Sequence, residues 1–244
     1  MRYAVMTDIH ANREAFDAVM AQASQHAVDQ WVFLGDMVGF GPDPGYVVDE
    51  IEAMVAQGAV AIRGNHDRFL PTDPAQLNPA ARRVVDWTVD RLNARQKLFL
   101  SERPLTSRLG DMLFVHAGAY APQDWPYIKG AQEAERSFAS TDARLTLCGH
   151  SHVPHLYSLG GQIAAHNIVK DVVISLATDQ RWLAIVGAVG MPRDGRAVGH
   201  YCILDPDKAE ISFHETPYDA EKTAQKIRAV GMPLARHFGL LRLS

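Results

Sequence analysis

Five short segments of this chain carry side chains that can bind metal ions, and each follows a predicted β-strand. They supply carboxylate, amide and imidazole groups but no thiolate, a set that suits divalent Mn, Fe, Ni, Co or Zn. Even without Asp67, their two Asp, one Asn and five His are more than a single ion needs, and two ions held close together are the usual device for hydrolysing phosphate esters. In chain order the segments are Asp8-Ile9-His10, Gly35-Asp36, Gly64-Asn65-His66-Asp67, His116, and Gly149-His150-Ser151-His152.

The spacing within these segments predicts which side chains can share an ion. Asp8 and His10 are two residues apart at a strand end, so both can reach one ion. Asp36 has two oxygens and can bridge two ions, which lie about 3.5–4 Å apart in such sites. Asn65 offers a neutral amide oxygen, and the imidazoles of His116, His150 and His152 complete the ligand set.

His66 directly follows Asn65, so we assign it a different role, in which it donates a proton to the leaving oxygen or stabilises phosphoryl charge. For Asp67 we favour a structural role, either capping the next helix or pairing with Arg68. Asn12 and Arg193 are weaker candidates for substrate contact, since a helix cap explains Asn12 and an exposed turn explains Arg193.

The first third of the chain predicts alternating strands and helices. Apolar runs at Tyr3 to Met6, Trp31 to Leu34 and Ala59 to Ile62 indicate strands, and Asn12 and Asp43 are predicted to cap the helices that follow them. This alternation predicts parallel strand pairing with helices packed on the sheet. The candidate ligands then lie at the carboxyl ends of the strands, where open α/β sheets bind ligands.

The remainder predicts a second sheet. A helical pattern runs from Asn78 to about Ser101 with a break near Asn93, and a hairpin follows over residues 105–115. Short strands between Val153 and Phe213 indicate an antiparallel sheet, and Thr216-Pro217 is predicted to open a last helix. The predicted fold is α/β: a four-layer α/β/β/α sandwich of two facing mixed sheets with helices on the outer faces, formed by residues 1–244 as a single domain.

Composition narrows the function classes. The net charge of −4 gives no overall basic field, which disfavours nucleic acid as a partner. The only two cysteines, Cys148 and Cys202, are expected to be buried free thiols. We find no leader-like segment and no apolar run of membrane-spanning length, and therefore expect a cytoplasmic protein with no membrane partner.

All five segments together resemble the calcineurin-like metallophosphoesterase superfamily, whose pattern is D-x-H, G-D, G-N-H-[DE], H and G-H-x-H. Smaller details, such as the run from Gly35 to Pro44, are similar to its small bacterial and archaeal phosphoesterases. The resemblance implies a first metal held by Asp8, His10, Asp36 and His152, a second held by Asp36, Asn65, His116 and His150, and a catalytic role for His66.

One departure from the pattern matters. Protein phosphatases of this superfamily place an Asp three residues after the G-D block, where it pairs with the catalytic His, but this chain has Gly39 there. The departure disfavours a protein phosphatase and leaves open what orients His66.

The resemblance implies a hydrolase in which a hydroxide bound at a dinuclear centre attacks phosphorus. We expect two divalent ions, Mn preferred over Fe, Ni, Zn or Co, and a small phosphate ester or nucleotide as substrate. A phosphodiesterase is favoured; the alternatives are a phosphomonoesterase (including a protein phosphatase), a dinucleoside-polyphosphate hydrolase and, less favoured because every ligand position is filled, a non-catalytic scaffold. Substrate choice depends on the loops around residues 70–78, 120–129 and 187–198, and the sequence does not fix the oligomeric state.

Overall fold

The computed structural model describes residues 1–68 and 79–232, and contains two six-stranded sheets. In the first sheet the strand order is β3-β2-β1-β11-β12-β9. Strands β1, β2 and β3 pair in parallel, whereas β11, β12 and β9 join antiparallel. Its strands are β1 (Tyr3–Met6), β2 (Gln30–Phe33), β3 (Val60–Ala61), β9 (Val173–Ser175), β11 (Val198–Asp205) and β12 (Glu210–Pro217).

The second sheet has the order β4-β5-β6-β10-β7-β8. Its centre is parallel, because β6 pairs in parallel with both β5 and β10, while β4, β7 and β8 pair antiparallel with their neighbours. Its strands are β4 (Thr106–Leu109), β5 (Met112–Val115), β6 (Leu145–Cys148), β7 (His155–Leu159), β8 (Ile163–His166) and β10 (Arg181–Ile185).

Helices cover the outer faces of the two sheets. Helices α1 and α2 pack on the outer face of the first sheet, and α5 packs on that of the second. The helices are α1 (Arg13–Ala23), α2 (Pro44–Ala56), α3 (Pro79–Arg91), α4 (Ala94–Glu102), α5 (Ala131–Ala139) and α6 (Ala220–Ala229). Within the described residues, none of these helices has the length and apolar character to cross a membrane.

Alternation along the strands produces the layers. In β1, Val5 faces the second sheet and packs in a core with Phe114 and Leu147, whereas Met6 faces the helices. A further core lies between the second sheet and α5, where Phe138 packs. These three cores separate four layers and confirm the predicted α/β/β/α sandwich.

Several local predictions are confirmed. Asn12 caps α1 by accepting a hydrogen bond from Ala15 N. Asn93 separates α3 from α4 and caps the latter through a reciprocal pair of hydrogen bonds with Gln96. Residue Asn78, where the helical pattern began, lies outside the described residues. Cys148 and Cys202 are buried and free, and burial raises the pKa of both thiols.

Three local predictions are wrong. The late strands β11 and β12 join the first sheet beside β1, so they do not extend the second sheet, which has a parallel centre. Thr216 and Pro217 end β12, and α6 is capped by Asp219 instead. Asp43 makes no capping hydrogen bond to α2 and pairs with Lys226 at 2.8 Å. The first error arose because short strands carry no signal for the sheet they join.

Candidate metal centre

The five predicted segments meet at one edge of the sandwich because their loops are joined by backbone hydrogen bonds. The N–H of Asp8 donates to the carbonyl of Gly35 at 3.0 Å, and that of His10 donates to the carbonyl of Asp36 at 2.9 Å. Gly149 N donates to His116 O at 2.9 Å and thereby links the ends of β5 and β6. The carboxyl ends of four strands are thus drawn together.

Left-handed backbone turns aim the ligands into the site. Non-glycine residues seldom adopt positive φ, and each such residue stores on the order of 1–3 kcal/mol of strain that the surrounding structure must offset. In this chain five of the eight predicted site residues do so, with φ between 51° and 66°: Asp8, His10, Asp36, His150 and His152. Nothing in their residue types indicated this, apart from the tolerance of Asp for the conformation.

The glycines of the motifs permit close approach to the carboxylates. A Cβ on Gly64 would overlap Oδ1 of Asp36, and a Cβ on Gly149 would overlap Oδ2 of Asp8 and the hydroxyl of Thr7. The carboxylates are therefore surrounded by backbone that only glycine can provide.

One ligand group combines Asp8, His10 and His152, whose ligand atoms all lie within 4.8 Å of one another. Oδ2 of Asp8 accepts hydrogen bonds from the hydroxyl of Thr7 at 2.8 Å and from His150 N at 2.9 Å. Oδ1 of Asp8 is buried and has no hydrogen-bond partner among the described residues; it lies 3.1 Å from Nε2 of His152 and 3.7 Å from Nε2 of His10. A buried, unsatisfied carboxylate oxygen facing two imidazole nitrogens is what a cation site requires.

A second ligand group combines Asp36, His116 and His150 within the same 4.8 Å limit. Nε2 of His116 lies 3.4 Å from Oδ2 of Asp36 and 3.2 Å from Oδ1 of Asn65, which adds the amide oxygen to this group. The same Oδ2 lies 3.7 Å from Nε2 of His10, so Asp36 faces both groups. Its other oxygen accepts a hydrogen bond from His66 N at 2.8 Å.

Backbone carbonyls fix the tautomers of three imidazoles. Nδ1 of His10, His116 and His152 lies 3.3, 2.8 and 2.6 Å from the carbonyl oxygens of Val38, Leu34 and Met191, respectively. A carbonyl only accepts, so each Nδ1 carries a proton, and each ring presents a lone pair at Nε2 when it is neutral.

Two of these lone pairs face each other, since the Nε2 atoms of His10 and His152 are 3.2 Å apart. That arrangement is repulsive unless a cation lies beside both. The donor set therefore fits divalent metal ions, and it presents oxygen and nitrogen atoms alone.

Charge and burial keep most of these groups in the state that binds metal. Burial lowers the pKa of His10 to about 3 and that of His150 to about 4, so both are neutral near pH 7. Burial raises the pKa of Asp36, but the neighbouring imidazoles, His116 first, outweigh it and hold that pKa well below its usual range. Metal binding requires neutral His and ionised Asp.

His116 differs from the other ligand candidates. Burial lowers its pKa, but the carboxylate of Asp36 outweighs burial and raises it to about 10. The two buried carboxylates therefore create a field that holds a positive charge between Asp36 and His116, where a cation would lie.

His66 is held by packing. Its ring centroid lies 4.7 Å from that of Phe40 and 5.2 Å from that of His10, and burial lowers its pKa. Gly39 lies against the imidazole, and a Cβ there would be only 3.1 Å from Nδ1. Where protein phosphatases have a carboxylate, this chain has close contact with a glycine, so the neighbouring rings orient His66.

Asp67 has the structural role predicted for it, but through other partners. Its Oδ1 accepts hydrogen bonds from Met37 N at 2.9 Å and Val38 N at 3.2 Å, and its Oδ2 accepts one from Gly64 N at 2.9 Å. The carboxyl group is fully buried, and burial together with Asp36 raises its pKa to about 7. Asp67 joins the loops that carry Asp36 and Asn65.

One of the two weaker substrate candidates is buried, and the other is exposed. The amide of Asn12 is buried, with Oδ1 capping α1 and Nδ2 donating to Gly190 O at 2.8 Å. Arg193 is exposed on the loop that begins at Met191, whose carbonyl contacts His152. Of the three substrate loops named from the sequence, residues 70–78 lie outside the described residues.

Sequence reasoning missed several supporting groups. The carbonyls that orient the imidazoles belong to the backbone, which every residue type has, so no sequence signal could reveal them. Tyr127, in the loop around residues 120–129 that was linked to substrate choice, stacks on the imidazole of His150 with centroids 3.9 Å apart and an interplanar angle of 29°.

Comparison with known proteins agrees with this geometry. The family model of the calcineurin-like phosphoesterase superfamily domain matches residues 1–209. The chain belongs to the calcineurin-like phosphoesterase superfamily. Members are metal-dependent hydrolases of phosphate esters that use divalent ions, in agreement with the two ligand groups.

Individual relatives of this calcineurin-like phosphoesterase extend over nearly its whole length. An uncharacterised protein of Methanocaldococcus jannaschii is 30% identical over 230 residues, which cover 92% of this chain and 90% of that protein. A metallophosphoesterase from Sphaerobacter thermophilus is 33% identical, with a TM-score of 0.82 and 96% and 95% of the two chains covered. A hypothetical protein from Pyrococcus horikoshii shares the fold at 16% identity, with a TM-score of 0.78 and coverage of 98% and 97%.

Proposed function

We propose that this calcineurin-like phosphoesterase is a phosphodiesterase with a dinuclear metal centre. The observation that carries the proposal is the position of Asp36, whose Oδ2 lies between Nε2 of His10 at 3.7 Å and Nε2 of His116 at 3.4 Å. Each of those imidazoles belongs to a separate ligand group. One carboxylate shared by two groups is the arrangement of a two-metal site.

The ligand assignment follows the two groups. One ion would be held by Asp8, His10, Asp36 and His152, and the other by Asp36, Asn65, His116 and His150. When bound, the ions would polarise the phosphoryl oxygens and lower the pKa of a water molecule that serves as nucleophile. We propose Mn as the resident metal, because oxygen and imidazole donors without thiolate suit it.

The chain's own residues would position and protonate the substrate. His66 lies beside His10, next to the first ligand group, and its ring would donate a hydrogen bond to a phosphoryl or leaving-group oxygen. Phe40 packs against His66 and His10 and limits the access of water on that side. Tyr127 covers His150 and holds its ring in place.

The charge around the centre favours a diester over a monoester. A monoester dianion is usually held by arginine. Among the described residues, the contacts of the eight site side chains include His, Asp, Asn, aromatic and backbone groups but no Lys or Arg. A singly charged diester needs less positive charge than a monoester dianion, so a centre without arginine suits it better, and the resemblance to small phosphoesterases agrees.

The test is to strip the purified protein of metal, reload it with Mn²⁺, and compare hydrolysis of bis-p-nitrophenyl phosphate with that of p-nitrophenyl phosphate. Metal content is measured in parallel. We expect two bound ions, faster hydrolysis of the diester, and a loss of both activity and metal in Asp36→Asn. The matched control is Asp194→Asn, the same change in a surface cluster formed by Asp194, His200 and Glu215. This variant is expected to keep both its metal and its activity.

Each alternative has its own outcome. Faster turnover of the monoester would replace the diesterase proposal with a monoesterase. Two bound ions with no turnover of either compound would indicate a scaffold or a narrow substrate range. Failure to bind metal would overturn the dinuclear centre itself.

A further inference from the structure

A cavity of about 380 Å³ is lined in part by Asp67, which lies two residues after the candidate metal ligand Asn65. Arg63 N donates to Pro104 O at 2.9 Å, which joins the end of β3 to the segment before β4. The cavity therefore lies where the edge strands of the two sheets meet, at the end of the sandwich that carries the ligands. We name it the arginine pocket and define it by six of its lining residues: Arg63, Arg68, Ser101, Leu105, Gln123 and Trp125.

The arginine pocket contains hydrogen-bond donors without acceptors. Nε of Arg63 and Nε1 of Trp125 are both buried and have no hydrogen-bond partner in the part of the chain that the structure describes. One guanidinium nitrogen of Arg63 donates to Ser101 O at 2.8 Å, which fixes the side chain against α4. Buried donors without acceptors are costly, at about 1–3 kcal/mol each, and a bound ligand with acceptor oxygens would remove that cost.

Positive charge in the pocket is not neutralised. Within residues 1–68 and 79–232 neither Arg63 nor Arg68 forms an ion pair with a carboxylate. Asp67 also lines the cavity, but both its oxygens accept backbone N–H groups of Met37, Val38 and Gly64. The pocket therefore offers two guanidinium groups, an indole N–H and the amide of Gln123 to an anion.

Other ligand chemistries fit less well. The guanidinium carbon of Arg68 lies 5.8 Å from the ring centroid of Trp125, so the cation occupies the aromatic face that a base would stack on. Paired arginines match phosphate oxygens in geometry as well as charge.

The pocket is close enough to the metals for one substrate to reach both. Arg63 precedes Asn65 by two residues and Arg68 follows it by three. Since an extended chain advances at most about 3.6 Å per residue, both arginine Cα atoms lie within about 11 Å of the Asn65 Cα. An arginine side chain of the pocket can therefore reach a second phosphate that lies on the same sugar as the cleaved one or further along a polyphosphate chain.

We propose that the arginine pocket binds a second phosphate group of the substrate, so that the preferred substrates are phosphate esters carrying another phosphate near the one that is cleaved. This inference rests on the proposed function, because the cleaved phosphate is placed at the metals. It also explains why the centre itself lacks arginine: the cations are displaced to where the second phosphate lies.

The test is a binding measurement by calorimetry on the Mn-loaded protein, with thymidine 5′-monophosphate, thymidine 3′,5′-bisphosphate and thymidine 5′-triphosphate as probes. We expect the bisphosphate or the triphosphate to bind at least tenfold tighter than the monophosphate. The probe that gains more affinity identifies the source of the second phosphate, which is either a phosphate on the other side of the sugar or a polyphosphate chain. In parallel, kcat/KM is measured for p-nitrophenyl thymidine 5′-phosphate with and without a 3′-phosphate.

Variants locate the effect. Arg68 is exposed, so Arg68→Ala should fold and lose most of the gain, and Arg68→Lys should retain part of it. Arg108→Ala removes one charge from an exposed arginine that pairs with Asp142, and should keep the full gain.

Failure of this inference can be told apart from failure of the proposed function. Equal binding of all three probes, or a gain that survives Arg68→Ala, would overturn the pocket assignment even if bis-p-nitrophenyl phosphate is hydrolysed. A gain lost in Arg68→Ala, in a protein that hydrolyses no diester, would support the pocket and overturn the diesterase.

Discussion

Asp194, His200 and Glu215 bring two carboxylates and an imidazole within 4.8 Å of one another, the same limit that the Asp36, His116 and His150 group meets. By residue type and distance the two clusters are alike. They differ in what neutralises them. In the surface cluster Arg196 donates to Glu215 at 2.6 and 2.7 Å and to Asp194 at 2.6 and 3.1 Å. At the metal centre the site side chains have no such partner among the residues described.

Exposure separates the two clusters as well. Asp36 and His116 are each 1% exposed, whereas Asp194 is 20% and Arg196 53% exposed. A buried carboxylate without a cation is far more costly than an exposed one. A metal centre is therefore recognised by buried negative charge that the protein leaves uncompensated, whereas a cluster of ligand-type residues alone can equally be a salt-bridge network.

The largest expected effect comes from the same substitution in each cluster. His116→Gln removes a ligand whose Nε2 faces Asp36 and Asn65. It should lower kcat/KM for a diester more than 100-fold, because the loss of a group that only supports a ligand already costs about 10–100-fold in activity. His200→Gln should leave kcat/KM within about twofold and lower the free energy of unfolding by about 1 kcal/mol, since it loses one hydrogen bond to Asp194. Kinetics and metal analysis of both variants check this, and equal losses in the two would contradict the distinction.

A smaller but still substantial effect is expected from Asp67→Asn. The two carboxylate oxygens accept three backbone N–H groups, and an amide NH₂ would face at least one of them. We expect a loss of about 1–3 kcal/mol in the free energy of unfolding and a 10–100-fold weaker metal affinity. Urea denaturation and metal titration measure the two. Asp194→Asn is the control, and an unchanged stability in Asp67→Asn would show that the loops do not depend on this carboxylate.

The candidate site was more predictable from the sequence than the connections that build it. Asp8, His10, Asp36, Asn65, His66, His116, His150 and His152 all lie at one edge, as the strand-end positions predicted. Strand ends are readable because apolar runs stop there. The left-handed conformations of the ligands and the carbonyls of Leu34, Val38 and Met191 were not readable, because backbone geometry is set by tertiary hydrogen bonds.

The fold likewise divides into elements that local signals predict and elements that depend on pairing between distant strands. The parallel β1-β2-β3 unit followed from strand–helix alternation, which is a local signal. The insertion of β11 beside β1 did not, because it pairs Tyr3 with Leu204 across about 200 residues, and nothing local distinguishes that partner from a neighbour in the second sheet. The surface cluster was missed for a related reason: Asp194 and Glu215 meet through the register of the β11–β12 pair, which places His200 opposite Glu215, and residue types alone do not give that register.

Removing Arg196 should make the surface cluster more like a metal site. In Arg196→Gln the carboxylates of Asp194 and Glu215 lose their cation while His200 stays 3.1 Å from Asp194. We expect one additional, weak Zn²⁺ equivalent in a titration of the variant, abolished by the further change His200→Gln. Wild-type protein should show no such equivalent. If the variant binds no extra metal, exposure rather than the missing cation separates the clusters.

The smallest expected effect is the pH dependence of the stability that Arg196 contributes through its pairing with Asp194 and Glu215. The guanidinium of Arg196 lowers the pKa of Glu215; burial raises the pKa of Asp194, but the N–H and guanidinium of Arg196 outweigh it, so this pKa is lowered too. A lowered folded-state pKa gives stability that is complete above the unfolded-state value, about 4 for these groups, and is lost as the pH falls through the folded value.

His200 acts in the same direction within this network. Burial lowers the pKa of His200 and outweighs the carboxylates of Asp194 and Glu215, which raise it. Arg196 lowers this pKa as well, so protonation of His200 as the pH falls below about 6.5 is opposed in the wild type and easier in Arg196→Gln. The stability difference between wild type and variant should therefore be below about 1 kcal/mol at pH 7, as for other exposed pairs, and shrink towards zero between pH 6 and pH 3. Urea denaturation at several pH values measures it. A difference that grows on acidification would mean that Arg196 acts through packing rather than charge.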